Sequence, residues 1–415
     1  MYQAPRGTSD ILPEEQAYWR YVEQKAVSVC QLYGYERIDT PVFEDTRLFS
    51  RSIGEGTDIV EKEMYTFEDK GGNGITLRPE GTAPVCRAYL EHGMHNLPQP
   101  VKLYYIAPIF RYERPQAGRY REHYQFGCEA FGDDAPALDA EVIDMAWQFF
   151  SSLNLSHLSL SLNSIGCRQC RPGYLAALQD YYTRYSHDLC ANCQTRLLRN
   201  PLRLLDCKKP LCQKIANSAP KSVDYLCSRC GEHLSQLKIY LELLELPFVV
   251  DHLLVRGLDY YTRTVFEVQP QAGGAQNTLG GGGRYDYLIE ELGGRPTPAI
   301  GFAAGIERII LNLKKQGVPI PALPRPRVFI AYVGDEARSE TMKLATSLRR
   351  AGTGVIEAVG GRSLKAQLRQ ADTLDVSYTV IIGEEEVRTG TVILRDMTTS
   401  EQKTIPVTQL QGQLQ

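Results

Sequence analysis

The 415-residue chain lacks any apolar run of the roughly 18 residues that a membrane-spanning helix needs. Its opening, Met1 to Gly7, lacks the apolar core of a secretory signal, so a cytosolic location is expected. Strong charge is also missing. The net charge is −3, which does not announce a nucleic-acid binder. Local basic surfaces on a large protein can still hold a polynucleotide, so that class stays open. There is no internal repeat and no low-complexity tail. The remaining composition is ordinary for globular domains, 43% hydrophobic and 23% charged. The length accommodates two or three of them.

Cysteine, by contrast, is plentiful. There are 11, and eight lie between Cys167 and Cys230. In a reducing compartment such clustering points to metal ligation or plain thiols rather than disulfides.

The pattern of elements divides the chain. Ser9 and Asp10 can cap a first helix, with Pro13 in its first turn and Trp19, Val22, Ala26, Cys30 and Tyr33 at helical spacing. A short strand, Tyr35–Pro41, follows. The turn-rich Asp69–Gly74 separates hairpin strands Met64–Phe67 and Ile75–Arg78. Val101–Ile106 and Glu122–Phe131 read as strands around a polar loop, and Leu138–Leu153 as a helix. Residues 167–245 are helical and polar, with 12 Lys plus Arg against 7 Asp plus Glu, and read as an inserted small domain. Strands return at Pro247–Val250 and Thr264–Val268. Gly273–Gly283, with six glycines, reads as a loop or tight turn. Ala299–Ala304 leads into a helix over Gly305–Lys315. Four prolines mark a linker at 319–326, and strand–helix alternation beyond it indicates a separate α/β domain over 327–415.

Chemistry concentrates first in Phe110–Arg121, where Arg111, Arg114, Arg119 and Arg121 fall within eleven positions. Arg111 on one strand, and Arg119 with Arg121 on the returning one, would each share a face with residues an even number away. Guanidinium groups grip phosphate through several donors and stay charged at any working pH. Such a hairpin can hold a triphosphate without a glycine-rich phosphate loop. A solvated basic hairpin is the competing reading. Arg308, in the first turn of a helix behind an apolar strand, can reach the same edge.

The Tyr35–Pro41 strand, the Arg111–Glu113 strand with its loop, and the Gly305–Arg308 turn resemble, in order, the three motifs of class II aminoacyl-tRNA synthetases. Arg256–Glu267 (Arg-Gly-Leu-Asp-Tyr-Tyr-Thr-Arg-Thr-Val-Phe-Glu) resembles the histidine motif of the histidyl-tRNA synthetases. Leu279–Asp286, Leu77–Thr82 and Gly361–Lys365 are similar to further segments of that family. The resemblance implies an α+β catalytic domain, an antiparallel sheet flanked by helices, formed by 1–166 and 246–318. It also implies a small helical cysteine-rich insertion over 167–245 and a C-terminal α/β anticodon-binding domain. It implies an ATP-dependent ligase that forms histidyl-adenylate and pyrophosphate, then charges tRNA(His) and releases AMP. Magnesium is expected with ATP, and a homodimer through the Pro41 strand.

Residue by residue, the resemblance implies Arg111 and Arg256 at the α-phosphate, as the catalytic groups, with Arg119 and Arg308 on the outer phosphates and Glu113 beside them. It implies Glu129 and Tyr261 on the imidazole of histidine. Glu80, Thr82 and Gln125 would meet the α-ammonium, with Gly81, Tyr260 and Tyr285 lining the pocket. A site with polar partners on both ring nitrogens rejects apolar isosteres by about 10⁴ or more. Core packing competes as a reading for each tyrosine. Arg114 and Gln116 fall in the loop that meets the tRNA acceptor end, Gln116 facing the extra 5′ guanosine of histidine tRNAs. Relatives commonly carry Phe-His where this chain has His123-Tyr124, and an apolar residue at Cys128. On a strand His123 shares a face with Gln125 and Glu129, so the exchange would touch the histidine pocket.

The cysteines fall as four pairs, Cys167/Cys170, Cys190/Cys193, Cys207/Cys212 and Cys227/Cys230, enough for one or two Cys₄ zinc sites. Zinc is not a general cofactor of the resembled family, which tips the expectation toward reduced thiols acting as small hydrophobes. The basic run Arg196, Arg199, Arg203, Lys208, Lys209 and Lys214 is expected to approach the tRNA backbone. A competing class is the regulatory subunit of ATP phosphoribosyltransferase, which shares the core but lacks the anticodon module and has decayed histidine motifs. A metal-binding or redox α/β protein is a third reading, one that leaves the arginines unexplained.

Overall fold

A computed structural model describes residues 2–54, 57, 59–116, 118–271 and 278–414. The chain forms two compact units, Met1–Pro321 and Ala322–Gln415. Among the described residues no helix is long and apolar enough to cross a membrane.

Among the described residues the first unit has eleven strands: β1 (Glu36–Arg37), β2 (Phe43–Asp45), β3 (Tyr65–Glu68), β4 (Gly74–Leu77), β5 (Val101–Phe110), β6 (Glu122–Phe131), β7 (Leu158–Ser164), β8 (Phe248–Val250), β9 (Thr262–Pro270), β10 (Gly280–Arg284) and β11 (Ala299–Gly305). Eight of them make one sheet in the order β1-β5-β6-β11-β10-β9-β7-β8. Its six inner strands are antiparallel. The edge strands β1 and β8 each run parallel to their neighbour, so the sheet is mixed rather than wholly antiparallel. A separate small sheet has the order β2-β4-β3.

Period-two alternation on β6 decides which residues face the site. Phe126, Cys128 and Ala130 join the main core, whereas His123, Gln125 and Glu129 face the opposite side. Helices Gln16–Leu32, Pro136–Ser152, Ser228–Leu243 and Ile306–Gln316 cover the core face. The first begins at Gln16, later than Ser9, Asp10 and Pro13 suggested, and no side chain caps it. Pro13 instead opens a tight turn in which the Gln16 N–H bonds the Pro13 carbonyl, and the helical ladder starts only there.

The glycine-rich stretch departs furthest from expectation. Residues 272–277 lie outside the described residues, but Gly280–Gly283 form a central strand, not a loop. Tight approach explains the glycines. A Cβ on Gly282 would stand 1.9 Å from the Gly301 carbonyl oxygen, and one on Gly281 2.6 Å from that of Phe266.

Residues 167–245 pack as short helices in the same unit, around Tyr174, Leu178, Tyr182, Leu197 and Leu204. In the second unit, β12 (Val328–Tyr332), β13 (Val355–Glu357), β14 (Tyr378–Ile382), β15 (Thr391–Asp396) and β16 (Gln402–Pro406) pair in the order β13-β12-β14-β15-β16. The first three are parallel and the last two form an antiparallel extension. Buried Gln367 bonds both the N–H and the carbonyl of Tyr332, at 2.9 and 2.8 Å.

Candidate active site

A cleft of about 1100 Å³ opens over the face of the large sheet opposite the main core. One end is acidic and phenolic, the other carries guanidinium groups.

At the acidic end, Glu80 follows β4 and accepts from the backbone N–H groups of Thr82 and Ala83, at 2.7 and 2.8 Å. It thereby satisfies the free donors that open helix Thr82–Glu91. The Thr82 hydroxyl donates to Glu129 at 2.7 Å, and the Tyr285 hydroxyl donates to the other oxygen of the same carboxyl. Glu129 is 1% exposed. Burial pushes its pKa up to about 8, against the two hydrogen bonds, with the charge of Glu80 adding to the rise. Register brings Glu129 opposite Gly301, where a Cβ would stand 1.9 Å from its Oε2. Tyr105 lies opposite Gly127 and beneath Gly81, filling the space that Cβ atoms at either glycine would occupy. The buried Tyr105 hydroxyl has no hydrogen-bond partner among the described residues. Neither Tyr105 nor the role of Gly301 was evident in sequence. The register of β5 and β11 on β6 is the signal that reveals both.

Tyr260 and Tyr261 lie just before β9, their rings tilted at 47° with centroids 4.8 Å apart, and Tyr260 also meets Tyr285 at 5.6 Å. The strand is bent there. Arg263 has φ 46°, strained for a non-glycine residue, and the pairing with β10 shifts between Gly283 and Arg284. The bend is held by ion pairs from Arg263 to Asp134 and Asp286, both 3.7 Å. Beneath it, fully buried Arg284 pairs with Asp139 at 2.6 Å, and Asp139 also meets His233 at 2.8 Å.

At the cationic end, Arg256 lies across Gly281 and pairs with Glu267, while Thr278 donates to the other Glu267 oxygen at 2.9 Å. Glu267 closes the motif that Arg256 opens, yet its role as the arginine's partner was not read from the sequence. Arg111 donates to the Pro79 carbonyl at 2.7 Å, Arg119 pairs with Glu113 at 3.2 Å, and Arg308 donates to the carbonyls of Gly118 and Thr278 at 2.9 and 3.2 Å. Arg111, Arg119, Arg256 and Arg308 thus line one cleft. They reach it from loops and a helix, not from strand faces. β5 ends at Phe110 and β6 begins at Glu122, and Pro115 and Gly118 break the ladder between them. Arg121 turns away and stacks on Tyr112 at 3.8 Å.

His123 belongs to this cationic end and not to the acidic pocket. Burial, with the nearby charges of Arg111 and Arg308, pushes its pKa down to about 3, so it stays neutral. Tyr124 packs on the opposite face against Trp19, and Cys128 faces Cys30 there at 4.0 Å. The His123-Tyr124 exchange therefore bears on the arginine cluster. Gln125 lines the cleft, whereas Arg114 and Gln116 are exposed on the loop outside it.

The basic run of the insert does not form one free face. Arg199 pairs with Glu61 at 2.6 Å, and Arg203 donates to the carbonyl of Arg256 at 3.2 Å. Lys208 pairs with Asp206 at 2.5 Å. Lys209 and Lys214 are exposed, and Lys209 stands at the cleft's mouth. The eight cysteines gather into two groups of four, Cys167/Cys170/Cys227/Cys230 and Cys190/Cys193/Cys207/Cys212. Within each, all sulfurs lie within 4.8 Å of one another.

Comparison with known proteins agrees with this layout. A family model described as histidyl-tRNA synthetase matches residues 7–169 and 204–309, and one described as an anticodon binding domain matches 327–415. A histidine–tRNA ligase of Dehalococcoides mccartyi (strain CBDB1) is 61% identical over 410 residues, 99% of this chain and 98% of its own. One from Desulforamulus reducens is 52% identical over 406 residues, covering 98% and 97%. The crystal structure of the apo S. aureus histidyl-tRNA synthetase superposes over 100% of both chains with a TM-score of 0.83 at 40% identity. Aligned in full with these proteins and carrying the matched motifs in a single cleft, the chain belongs to the histidyl-tRNA synthetase family.

Proposed function

We infer that this cleft joins histidine to ATP and then passes the histidyl group to tRNA(His), releasing AMP. The observation that carries the reading is the pairing of a buried acidic and phenolic pocket with four arginines in one cleft, bridged by the Arg256–Tyr261 segment.

Histidine enters with its ring toward Glu129 and Tyr261, whose oxygens meet the two imidazole nitrogens. Its ammonium is received by Glu80, Thr82 and Gln125, and Tyr260 and Tyr285 close the pocket around it. Gly81 leaves room for the Tyr105 ring and Gly301 for the Glu129 carboxyl, which form the pocket's floor. The histidine carboxylate then points toward Arg256 and Arg111. Attack of that carboxylate on the α-phosphorus releases pyrophosphate. The step needs in-line placement and fixed positive charge more than a covalent nucleophile. Arg111 and Arg256 hold the α-phosphate, and Arg119 and Arg308 the outer phosphates. ATP releases Arg119 from Glu113 and Arg256 from Glu267. Glu113 and Glu267 would be the oxygen ligands to hold a magnesium ion, which would neutralise phosphate charge. Arg114 and Gln116 stand ready for the acceptor end of tRNA, the C-terminal unit reads the anticodon, and the protein works as a homodimer.

The regulatory-subunit reading is disfavoured by the anticodon-binding match over 327–415 and by the complete Arg256–Glu267 motif. The test is histidine-dependent exchange of pyrophosphate into ATP. Wild-type protein should catalyse it, and Arg256→Ala, with unchanged circular dichroism, should lose about 10²-fold or more. Folded wild-type protein without exchange would sink the proposal.

A further inference from the structure

The eight cysteines of the insert are not scattered through a core. Each group joins two sequence-distant pairs, and the groups are nested, the outer one closing 167–230 and the inner one 190–212. Sulfur separations are 3.7 Å for Cys167–Cys170, 3.9 Å for Cys167–Cys227 and 3.9 Å for Cys190–Cys207. A disulfide needs about 2.05 Å. Four thiolates around one zinc ion at about 2.3 Å define tetrahedron edges of about 3.8 Å; these three separations match that edge, and all others within each group are at most 4.8 Å. Cys190 and Cys227 also sit at helix N-termini. Six of the eight are buried and the other two half-buried, so the sites are closed to solvent on most sides, as structural zinc requires. The family model passes over 170–203, so its match says nothing of Cys170, Cys190 or Cys193.

What each group anchors gives it a purpose. Between the inner pairs lie Arg199, Asn200 and Arg203. Asn200 donates to Asp259 at 2.8 Å and Arg203 to the carbonyl of Arg256 at 3.2 Å. Beside the outer group, Arg171 donates to the carbonyl of Tyr261, and also to those of Ile165 and Gly166, at 3.2 Å each. Arg168 stacks on Tyr287 at 3.9 Å and pairs with Glu290 and Glu291. The two groups therefore hold the substrate segment 256–261 at its two ends, the inner at Arg256 and the outer at Tyr261.

We propose that the chain binds two zinc ions, at Cys167/Cys170/Cys227/Cys230 and Cys190/Cys193/Cys207/Cys212, which lock the insert against the two ends of segment 256–261. The ions are structural, and the ligating cysteines are positioning residues, not catalytic ones. The metal content is independent of the proposed function, whereas the bracing rests on it.

Metal analysis of full-length protein purified under reducing conditions without chelator should find two zinc ions per chain. A mercurial that titrates the thiols of wild-type protein should release both into a colorimetric indicator, a measurement that needs no variant. Cys193→Ser and Cys230→Ser should each lose one ion and keep the other. The kinetic effects should then separate. Loss of the inner ion should lower kcat of pyrophosphate exchange about tenfold or more, through Arg256. Loss of the outer ion should chiefly raise KM for histidine by a similar factor, through Tyr261. Zinc-free wild-type protein with all eleven of its cysteines present as titratable thiols would overturn the metal sites. Two ions per chain, with both variants kinetically identical to wild type, would overturn the bracing.

Discussion

Replacing Glu129 by glutamine should make the catalytic unit less sensitive to pH while crippling its use of histidine. In the native pocket burial holds the Glu129 pKa at about 8, against the ordinary 4.5. Native protein therefore keeps a proton there between those values that the unfolded chain has already lost. The sign follows: stability from this group is complete below pH 4.5 and is lost as pH rises through 8. One pKa unit corresponds to about 1.4 kcal/mol, so across pH 5 to 8 this single group costs the native state about 3 kcal/mol. Glutamine has no such proton. Glu307, raised to about 7 by burial, titrates in the same window, but it is present in both proteins and cancels in the difference. Urea unfolding at fixed protein concentration, followed by tryptophan fluorescence at pH 5, 6, 7 and 8, isolates the effect. Both tryptophans, Trp19 and Trp147, lie in the first unit, so the signal reports that unit alone. The stability of Glu129→Gln relative to wild type should climb by about 3 kcal/mol from pH 5 to pH 8. Removing one partner of a buried hydrogen bond costs about 1–3 kcal/mol, so KM for histidine should rise roughly 10- to 100-fold with KM for ATP little changed. A stability difference that stays flat over that pH range would refute the burial argument. An unchanged histidine KM would remove Glu129 from the ring pocket.

Three further outcomes are expected. Arg284→Met leaves Asp139 buried without its cation and should cost the catalytic unit about 3–5 kcal/mol in urea unfolding. Gly301→Ala places a methyl where the Glu129 carboxyl lies, and should raise histidine KM at least tenfold in pyrophosphate exchange. Lys209→Glu with Lys214→Glu should weaken tRNA binding at low salt. It should also reduce the slope of log affinity against log salt by about one for each phosphate that is no longer neutralised, read by filter binding across a salt series.

Residues that act as neighbours in the chain were legible, and residues that act across strands were not. Arg256–Glu267 carries its message in one run, whereas the arginine content of the polar loop between β5 and β6 left a solvated basic hairpin open until the structure placed Arg111 and Arg119 in the cleft. The alternation on β6 likewise foretold that His123, Gln125 and Glu129 share a face, with Tyr124 and Cys128 on the other. Which end of the cleft His123 occupies was hidden. It depends on Arg111 and Arg308, 12 and 185 residues away, converging on it. The run Gly280–Gly283 misled for a physical reason. Glycine disfavours strands in isolation, but here two neighbouring strands, Arg256 and Phe150 crowd the backbone so closely that no other residue fits. The cysteines show the same limit. Spacing marks the pairs, yet which pairs meet is a matter of how the insert closes on itself.

The four arginines are held in two different ways, and the difference suits the reaction. Arg111 and Arg308 spend donors on backbone carbonyls, Pro79 for one and Gly118 with Thr278 for the other. Breaking those bonds would strand half-buried carbonyls, so these side chains are fixed in place, and in the proposed reaction would meet phosphate with their remaining donors. Arg119 and Arg256 rest instead on the carboxylates of Glu113 and Glu267. A phosphate oxygen offers the same charge and geometry as a carboxylate, so triphosphate can take over either guanidinium without leaving it bare. The carboxylates also offset the repulsion that four cations in one cleft would otherwise suffer before ATP arrives. Arg256 differs from Arg119 in one respect: its backbone carbonyl is tied to Arg203 while its side chain exchanges partners. In the proposed reaction the side chain would pass from Glu267 to the α-phosphate about that fixed pivot, with Tyr261, five residues on, held in register. On the proposed roles, histidine selection and phosphate binding would be coupled through one short stretch of backbone.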